Sequence, residues 1–583
     1  MTPSLPPLPT PSRPALRPAW PQILAIALAV LFVFGQSCLF EFVNWDDDQL
    51  IAKNPYVNPP SVHKSLAAWS KPHSHMYIPL TYNLWSLLAS VGQSETPDAD
   101  GITINPWLFH TANVTVHLLN ALLVFQILQL LLKRPWLATF GAIIFAVHPL
   151  QVEPVAWATG MKDLLSSFFA LLAILLHLHA ADGDRHGKPT RQTWATYLAA
   201  MLCLFLATLA KPGVIGVPVI AIVLDWLILG RPLRRSLLCA LLLLAAVIPA
   251  VIWTQFAQPD YGIQPISPWA RPLIATHALT AYLQKIVWPN TFTFDYGLTP
   301  TIVLQGHWVY FAWLIPAAIS IGILLYPLHR RTLGAAWLVL LAGVGPVLGL
   351  MPFLFQYYST VADRYMYLSM LGVALAAAWA LSRLRPAPAI GIAVLLCLSL
   401  AIRSIIQVAT WENSTTLARH AIEINPRSFA AHANLAAIRA KEALRIRAIT
   451  SHENPSDPRI VQARQQANTL MDQAQNGFLA SLRYNPNHVL SLSNLANLYT
   501  ERGEYDAALQ YLERAVDAMD TLPDVFTQGA IDRLTVGKIC LNMRQYPRAA
   551  DHFRRFLKRY PDNAEARALL LQATAKSATQ PAQ

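Results

Sequence analysis

Long apolar runs recur along the first two thirds of the chain, and no other feature limits its fold so tightly. Each is close to the roughly 20 residues that an α-helix needs to cross a bilayer. About eleven spans are expected, at 20–40, 109–132, 135–151, 164–180, 194–210, 213–229, 236–255, 308–326, 333–352, 366–382 and 388–406. From 411 onward the sequence is instead rich in Arg, Asn, Gln, Asp and Glu. The apolar part accounts for a charged fraction of only 13%, against roughly 25% in soluble domains. The expected fold is all-α: a polytopic membrane helix bundle over 20–406, then a soluble helical-repeat domain over 411–575.

The formal net charge of +12 would suggest nucleic acid if it formed one patch. It does not, because the basic residues cluster between apolar runs. Lys133-Arg134, Arg185 with Lys188 and Arg191, Arg231 with Arg234 and Arg235, Arg330-Arg331, and Arg383 with Arg385 fall in alternate loops. Positive charge marks the cytosolic side of a membrane protein. The N-terminus shares that side, and an odd number of spans puts the repeats on the other, periplasmic or luminal side. The long external loops are 41–108 and 256–307. The chain is expected to be a multi-pass integral membrane protein.

The first apolar run has no small-residue cleavage pattern after a short core, so it reads as an uncleaved span. The Pro-rich segment 1–19 reads as a disordered cytosolic tail, and 576–583 as a second tail. The five cysteines, Cys38, Cys203, Cys239, Cys397 and Cys540, have no paired spacing. Neither a disulfide framework nor a zinc site is indicated.

The polar region carries a repeated pattern. Asn494-Leu495-Ala496-Asn497-Leu498-Tyr499, Gly503, and Tyr505-Asp506-Ala507-Ala508 resemble a tetratricopeptide repeat. Tyr546-Pro547-Arg548-Ala549-Ala550 echoes it, and an earlier unit begins near Asn425-Pro426. About three repeats are expected, with a polar insert near 450–460 and another at Thr521 to Gln528. The concave face of such a stack suits an extended peptide.

Three groups of residues could carry chemistry. Asp46-Asp47-Asp48 follows Trp45 just beyond the first span. Carboxylates there could act as a base or hold a divalent cation, and a solvated acidic loop is the plainer reading. His148, Glu153, Lys162 and Asp163 gather beyond the third span. Lys211 and Arg364, the latter beside Tyr365, lie on the side where orientation disfavours cations. Phosphate contact would explain them, and so would snorkelling to the interface. No phosphate loop, dinucleotide fingerprint or catalytic serine pattern occurs.

In order along the chain, these motifs resemble the transmembrane and tetratricopeptide-repeat O-mannosyltransferases that act on cadherins, and more closely their bacterial relatives. The resemblance rests on Phe42-Val43-Asn44-Trp45-Asp46-Asp47, Asn54-Pro55, Phe109-His110 through His117-Leu118-Leu119-Asn120, His148-Pro149 with Glu153 and Asp163, Lys211, and Asp363-Arg364-Tyr365. It implies a bundle of the GT-C glycosyltransferase class and sugar transfer from a polyprenyl-phosphate donor to a protein hydroxyl on the non-cytosolic face. It implies Asp46 and Asp47 as the catalytic carboxylates, with Asp48 at a variable position. Supporting roles fall to Asp48, His148, Glu153, Lys162 and Asp163, and donor phosphate contact to Lys211, Arg364 and Tyr365. Mannose or another hexose is the sugar implied. Lys211 is followed by Pro212, where many eukaryotic members carry an acid. No cofactor and no metal ligand is assigned, although a divalent cation is compatible with the Asp run.

Two other classes of function remain open from sequence. One is a membrane-anchored repeat scaffold for an envelope complex. The other is a transporter or polymerase of lipid-linked glycans. A scaffold needs one or two spans, and a transporter places its ionisable residues near the bilayer midplane. Here they gather at one rim. If the chain is an enzyme, the repeats are expected to govern acceptor choice and to take no part in the chemistry.

Overall fold

In the computed structural model of the protein, residues 19–579 are described, apart from 75, 95, 98–100, 185–189, 258–265, 521 and 523–531. The expected leader, Arg185 with Lys188, most of the Thr521 to Gln528 insert and residues 580–583 lie outside the described residues. The last helix, Ala564–Thr579, occupies the start of the tail expected from 576. The described residues are helical, with no strand and only two isolated bridges, His73–Met76 and Gln93–Ile104.

Each of the eleven expected runs contains helix, although several are interrupted. Among the described residues, seven helices are long and apolar enough to cross a membrane, and a bent pair makes an eighth. Such a chain is a multi-pass integral membrane protein. The bent pair is Pro135–Val147 with Pro149–Ala156, turned by 55°. The cause is Pro149: a proline pushes the residue before it out of the helical region, and His148 is extended, with φ −68° and ψ 136°. The run at 333–352 forms the shorter helix Arg330–Val344, ended by the Gly345–Val347 turn around Pro346. The run at 366–382 contributes the helix Met370–Leu381. These last two helices pack closely, because Gly343 faces Ser369 and Gly372 faces Ala336 where a Cβ would collide.

Arg231, counted above among the orientation charges, is instead buried. Its guanidinium pairs with Asp225 at 2.8 Å and Asp184 at 2.9 Å. Asp225 reaches it from a π-helical stretch, Leu224–Leu229. This ion cluster ties together the end of the bundle opposite the candidate site.

Beyond the last span, Pro386–Val408, the helix Ser414–Ile424 leads into the repeat domain. The helix pairs are Phe429–Thr450 with Pro458–Tyr484, Val489–Glu501 with Tyr505–Met519, and Arg533–Asn542 with Tyr546–Arg559. The 451–457 turn projects between the two long helices of the first pair. Gly503 makes the tight turn of the second pair with φ 76°. The repeats do not hang free. Asp295 of the second external loop accepts from the Ser428 hydroxyl at 2.6 Å, and Ser428 also caps the helix that begins at Phe429.

Candidate functional site

The Asp run divides by backbone geometry. Asp46 has φ 71°, in the left-handed region. Asp tolerates that region better than most residues, yet the cost is of order 1 kcal/mol. The turn sends the neighbouring carboxylates to different places. Asp47 is fully buried. Its Oδ2 accepts from Val43 N at 2.9 Å, and its Oδ1 accepts from Thr159 N at 3.0 Å and Thr159 Oγ1 at 2.5 Å. Burial pushes its pKa up to about 7, although the Thr159 and Val43 hydrogen bonds pull it down. Asp47 therefore pins the loop to the Ala158–Gly160 turn. The Asp46 side chain stays half exposed, at 48%, with Lys162 Nζ 3.9 Å away. Asp48 points elsewhere and pairs with exposed Lys53 at 3.3 Å.

Trp157 links this loop to the second group of residues. Its Nε1 donates to Trp45 O at 2.8 Å. Lys162 Nζ lies 4.6 Å from the centre of its ring and the Arg364 guanidinium 5.6 Å. Both contacts have cation–π geometry. Glu153 is buried and grips Arg364 twice, accepting its main-chain N–H at 2.9 Å and pairing with its guanidinium. That guanidinium also stacks on Phe355 and Tyr365, at 4.2 and 5.0 Å. Burial opposes the charge on Arg364, but Glu153 and its other neighbours hold its pKa above the ordinary value.

Lys211 comes from the junction of two spans and meets Asp163 Oδ1 at 2.5 Å. Lys211, Asp163, Arg364 and Tyr365 line one cavity of ≈60 Å³. All three residues expected to contact phosphate thus share one space. Each cation carries its own oriented carboxylate: Lys162 with Asp46, Lys211 with Asp163, Arg364 with Glu153. His148 is not in this cavity. Its Nδ1 accepts from Leu150 N at 3.2 Å and its Nε2 faces Ile286 O at 3.2 Å, so it caps the Pro149 turn and ties it to the second external loop.

Behind the motif residue Asp363 stand two partners, Lys285 and Tyr296, that carry no clear signal in the sequence. Asp363 accepts from the Tyr296 hydroxyl at 2.6 Å and pairs with Lys285 at 3.2 Å. Burial raises the Asp363 pKa, and Lys285 opposes that rise. Asp363 precedes Arg364, so this cluster fixes the turn that presents the guanidinium.

An apolar groove of ≈690 Å³ opens between Arg271–Val287, Leu314–Leu325, Arg330–Val344 and Met370–Leu381. Ile286, Trp288, Trp308, Ile319 and Leu340 are among its walls. The linings of the groove and the small cavity lie close in sequence, at Leu340 and Gly343 on the helix Arg330–Val344, and at Gly372 and at Leu368 in the turn before the helix Met370–Leu381. Among the described residues one group of metal-capable side chains occurs, Glu513, Cys540 and His552, with ligand atoms within 4.8 Å of one another. It lies in the repeats, and Arg548 already grips both Glu513 oxygens.

A family model described as tetratricopeptide repeat matches residues 491–525. The chain is 24% identical over 376 residues to the protein O-mannosyl-transferase F38B6.6 of Caenorhabditis elegans, which covers 60% of this chain and 50% of that protein. It is 31% identical over 215 residues to protein O-mannosyl-transferase TMTC1 of Mus musculus, covering 34% and 21%. It is 22% identical over 621 residues to TMTC3 of Mus musculus, covering 93% and 64%. The chain is thus related in sequence to proteins of this kind, as its motifs imply, and spans half or less of the length of the first two named here. The solved structure of ArnT from Cupriavidus metallidurans bound to undecaprenyl phosphate aligns at TM-score 0.34 and 14% identity, over 92% of this chain and 80% of that one.

Proposed function

We propose that this chain is a membrane glycosyltransferase, moving a sugar from a polyprenyl-phosphate donor to a protein hydroxyl on the non-cytosolic face. The observation that carries the reading is the gathering of Asp46, Lys162, Asp163, Lys211 and Arg364, from four separate stretches of sequence, at one end of an apolar bundle. Ionisable groups are costly beside hydrocarbon and concentrate where function needs them. Relatedness to proteins named O-mannosyl-transferases supports the same reading and makes mannose the first sugar to test.

The chemistry follows from the geometry. The donor phosphate binds beside Lys211, Arg364 and Tyr365, with its lipid chain in the adjoining apolar groove. The acceptor hydroxyl oxygen attacks the anomeric carbon while the bond from that carbon to the phosphate oxygen breaks. The phosphate leaves with the electron pair and is stabilised by the two fixed cations. The acceptor proton passes to Asp46, the half-exposed carboxylate of the run. Asp47 holds the loop and makes no contact with substrate. The repeats and the site lie on the periplasmic side of an inner membrane. The test is transfer of labelled mannose from polyprenyl-phosphate mannose to a Ser/Thr-rich peptide by purified protein. Transfer that depends on Asp46 supports the reading, and no turnover of any polyprenyl-phosphate hexose contradicts it.

A further inference from the structure

The repeat domain reaches into the loop that carries Asp46. Asn44 N donates to Ser414 Oγ at 2.9 Å, and the Asn434 amide donates to Asn44 O at 2.9 Å. Both main-chain groups of the residue two before Asp46 are therefore held by repeat-domain side chains. Beside them Glu41 N donates to Glu412 O at 3.1 Å. A ring path runs in parallel: Phe429 stacks on Tyr358 at 5.6 Å, and Tyr358 meets Trp45 edge-on at 5.3 Å. Phe429 and Asn434 belong to one helix, and Ser428 locks its start to Asp295. The Ser414 hydroxyl is free for this task because Asn413 does the capping, accepting from Thr415 N and Thr416 N.

We infer that Ser414 and Asn434 are positioning residues for Asp46, so that the first helices of the repeat domain are part of the catalytic site. The inference rests on the reading of Asp46 given above, and it reverses the expectation that the repeats serve acceptor choice alone. The physical reason is the left-handed backbone at Asp46. A strained residue keeps its conformation only where its surroundings over-determine it. The membrane domain supplies one side of that restraint, through Asp47–Thr159 and Trp157–Trp45. The repeats supply the other. Without them Asn44 keeps neither partner, and the loop can relax away from Lys162.

The test uses the full chain in lipid nanodiscs and compares Asn434→Asp, Ser414→Ala, the double variant, Ser414→Thr and Asp46→Asn. Donor turnover is read as mannose released to water from polyprenyl-phosphate mannose, which requires no acceptor. Hydrogen exchange is followed at 40–50. A displacement of the order of 1 Å can cost about a hundredfold in rate. The double variant should lose about tenfold to a hundredfold in kcat, with donor KM within about twofold and with faster exchange at 40–50. Ser414→Thr, which keeps the acceptor oxygen, should restore most of the rate. Unchanged exchange in the double variant overturns the inference. So does unchanged kcat in that variant where Asp46→Asn is inactive. Full turnover by Asp46→Asn beside a slowed, loosened double variant removes the role given to Asp46 and leaves the clamp standing.

Discussion

Glu153 holds Arg364 by backbone and side chain together: one carboxylate oxygen accepts the Arg364 main-chain N–H at 2.9 Å while the other meets its guanidinium. The two residues are 211 positions apart and both are buried. The geometry fixes where the guanidinium points before any ligand arrives, with Phe355 and Tyr365 stacked against it.

Breaking this pair should cost stability as well as function. Glu153→Ala leaves a buried guanidinium without its counter-charge, a loss of about 3–5 kcal/mol. A marked fall in Tm in detergent is the expected result. Arg364→Lys keeps the charge but loses planar stacking and geometry. It should raise donor KM about tenfold while leaving Tm closer to wild type. Unchanged donor KM would remove Arg364 from the phosphate site.

Lys211 is the more accessible cation, with 23% of its side chain exposed, and Asp163 orients it. Lys211→Gln should weaken donor binding by about tenfold, or roughly 1.4 kcal/mol, with little effect on Tm. Asp163→Asn should also raise donor KM, because the ammonium loses its anchor. Isothermal titration with polyprenyl phosphate checks both. A Lys211→Gln variant that binds as well as wild type contradicts the assignment.

The buried carboxyl of Asp47 gives a pH signature. Its folded pKa is raised to about 7 from 3.8. Between those values the folded state retains a proton that the unfolded state has lost, so this group stabilises the fold fully below about pH 4 and progressively less as pH rises towards 7. Thermal scans across that window should show an Asp47-dependent decline in Tm. Asp47→Asn should lower Tm, because an amide cannot accept from both Val43 and Thr159 in the same pose. Asp46→Asn should leave Tm unchanged. Equal effects of the two substitutions on Tm would refute this division of labour.

The fold was legible for concrete reasons. Span-length apolar runs mark the membrane helices, and Pro149 marks the break between Pro135–Val147 and the short helix after it. The Asn-Leu-Ala stretch at 494–496 and the Tyr followed by Ala-Ala at 505–508 and again at 546–550 mark the repeat pairs. The π-helical stretch at Leu224–Leu229 has no residue type that signals it. In the site, Lys211, Arg364 and Asp163 were readable as charges out of place in an apolar protein. The split within Asp46-Asp47-Asp48 was not, since it depends on Thr159, 112 residues away. Lys285 and Tyr296 read as ordinary members of an external loop, and only their meeting at Asp363 gives them a role. Asn434 carries no local signal that it faces Asn44.

The topology carries a prediction of its own. Reporter fusions after Arg235 and after Gln583 should fall on opposite sides of the membrane, the first cytosolic. The alternating basic clusters motivate this, and Arg234 and Arg235 still supply the charge at the first site although Arg231 is buried. Both reporters in the cytosol would place the Asp46 loop on the wrong side for an externally facing donor.

Sugar transfer by purified Asp46→Asn, beside Asp48→Asn and wild type, tests the central claim most directly. A positioned base contributes typically 10²–10⁴-fold. Asp46→Asn should lose about that much turnover with unchanged Tm and donor binding. Asp48→Asn, whose carboxylate pairs with exposed Lys53, should stay within about threefold of wild type, in line with the small worth of a surface ion pair. Wild-type turnover by a folded Asp46→Asn protein would contradict the account.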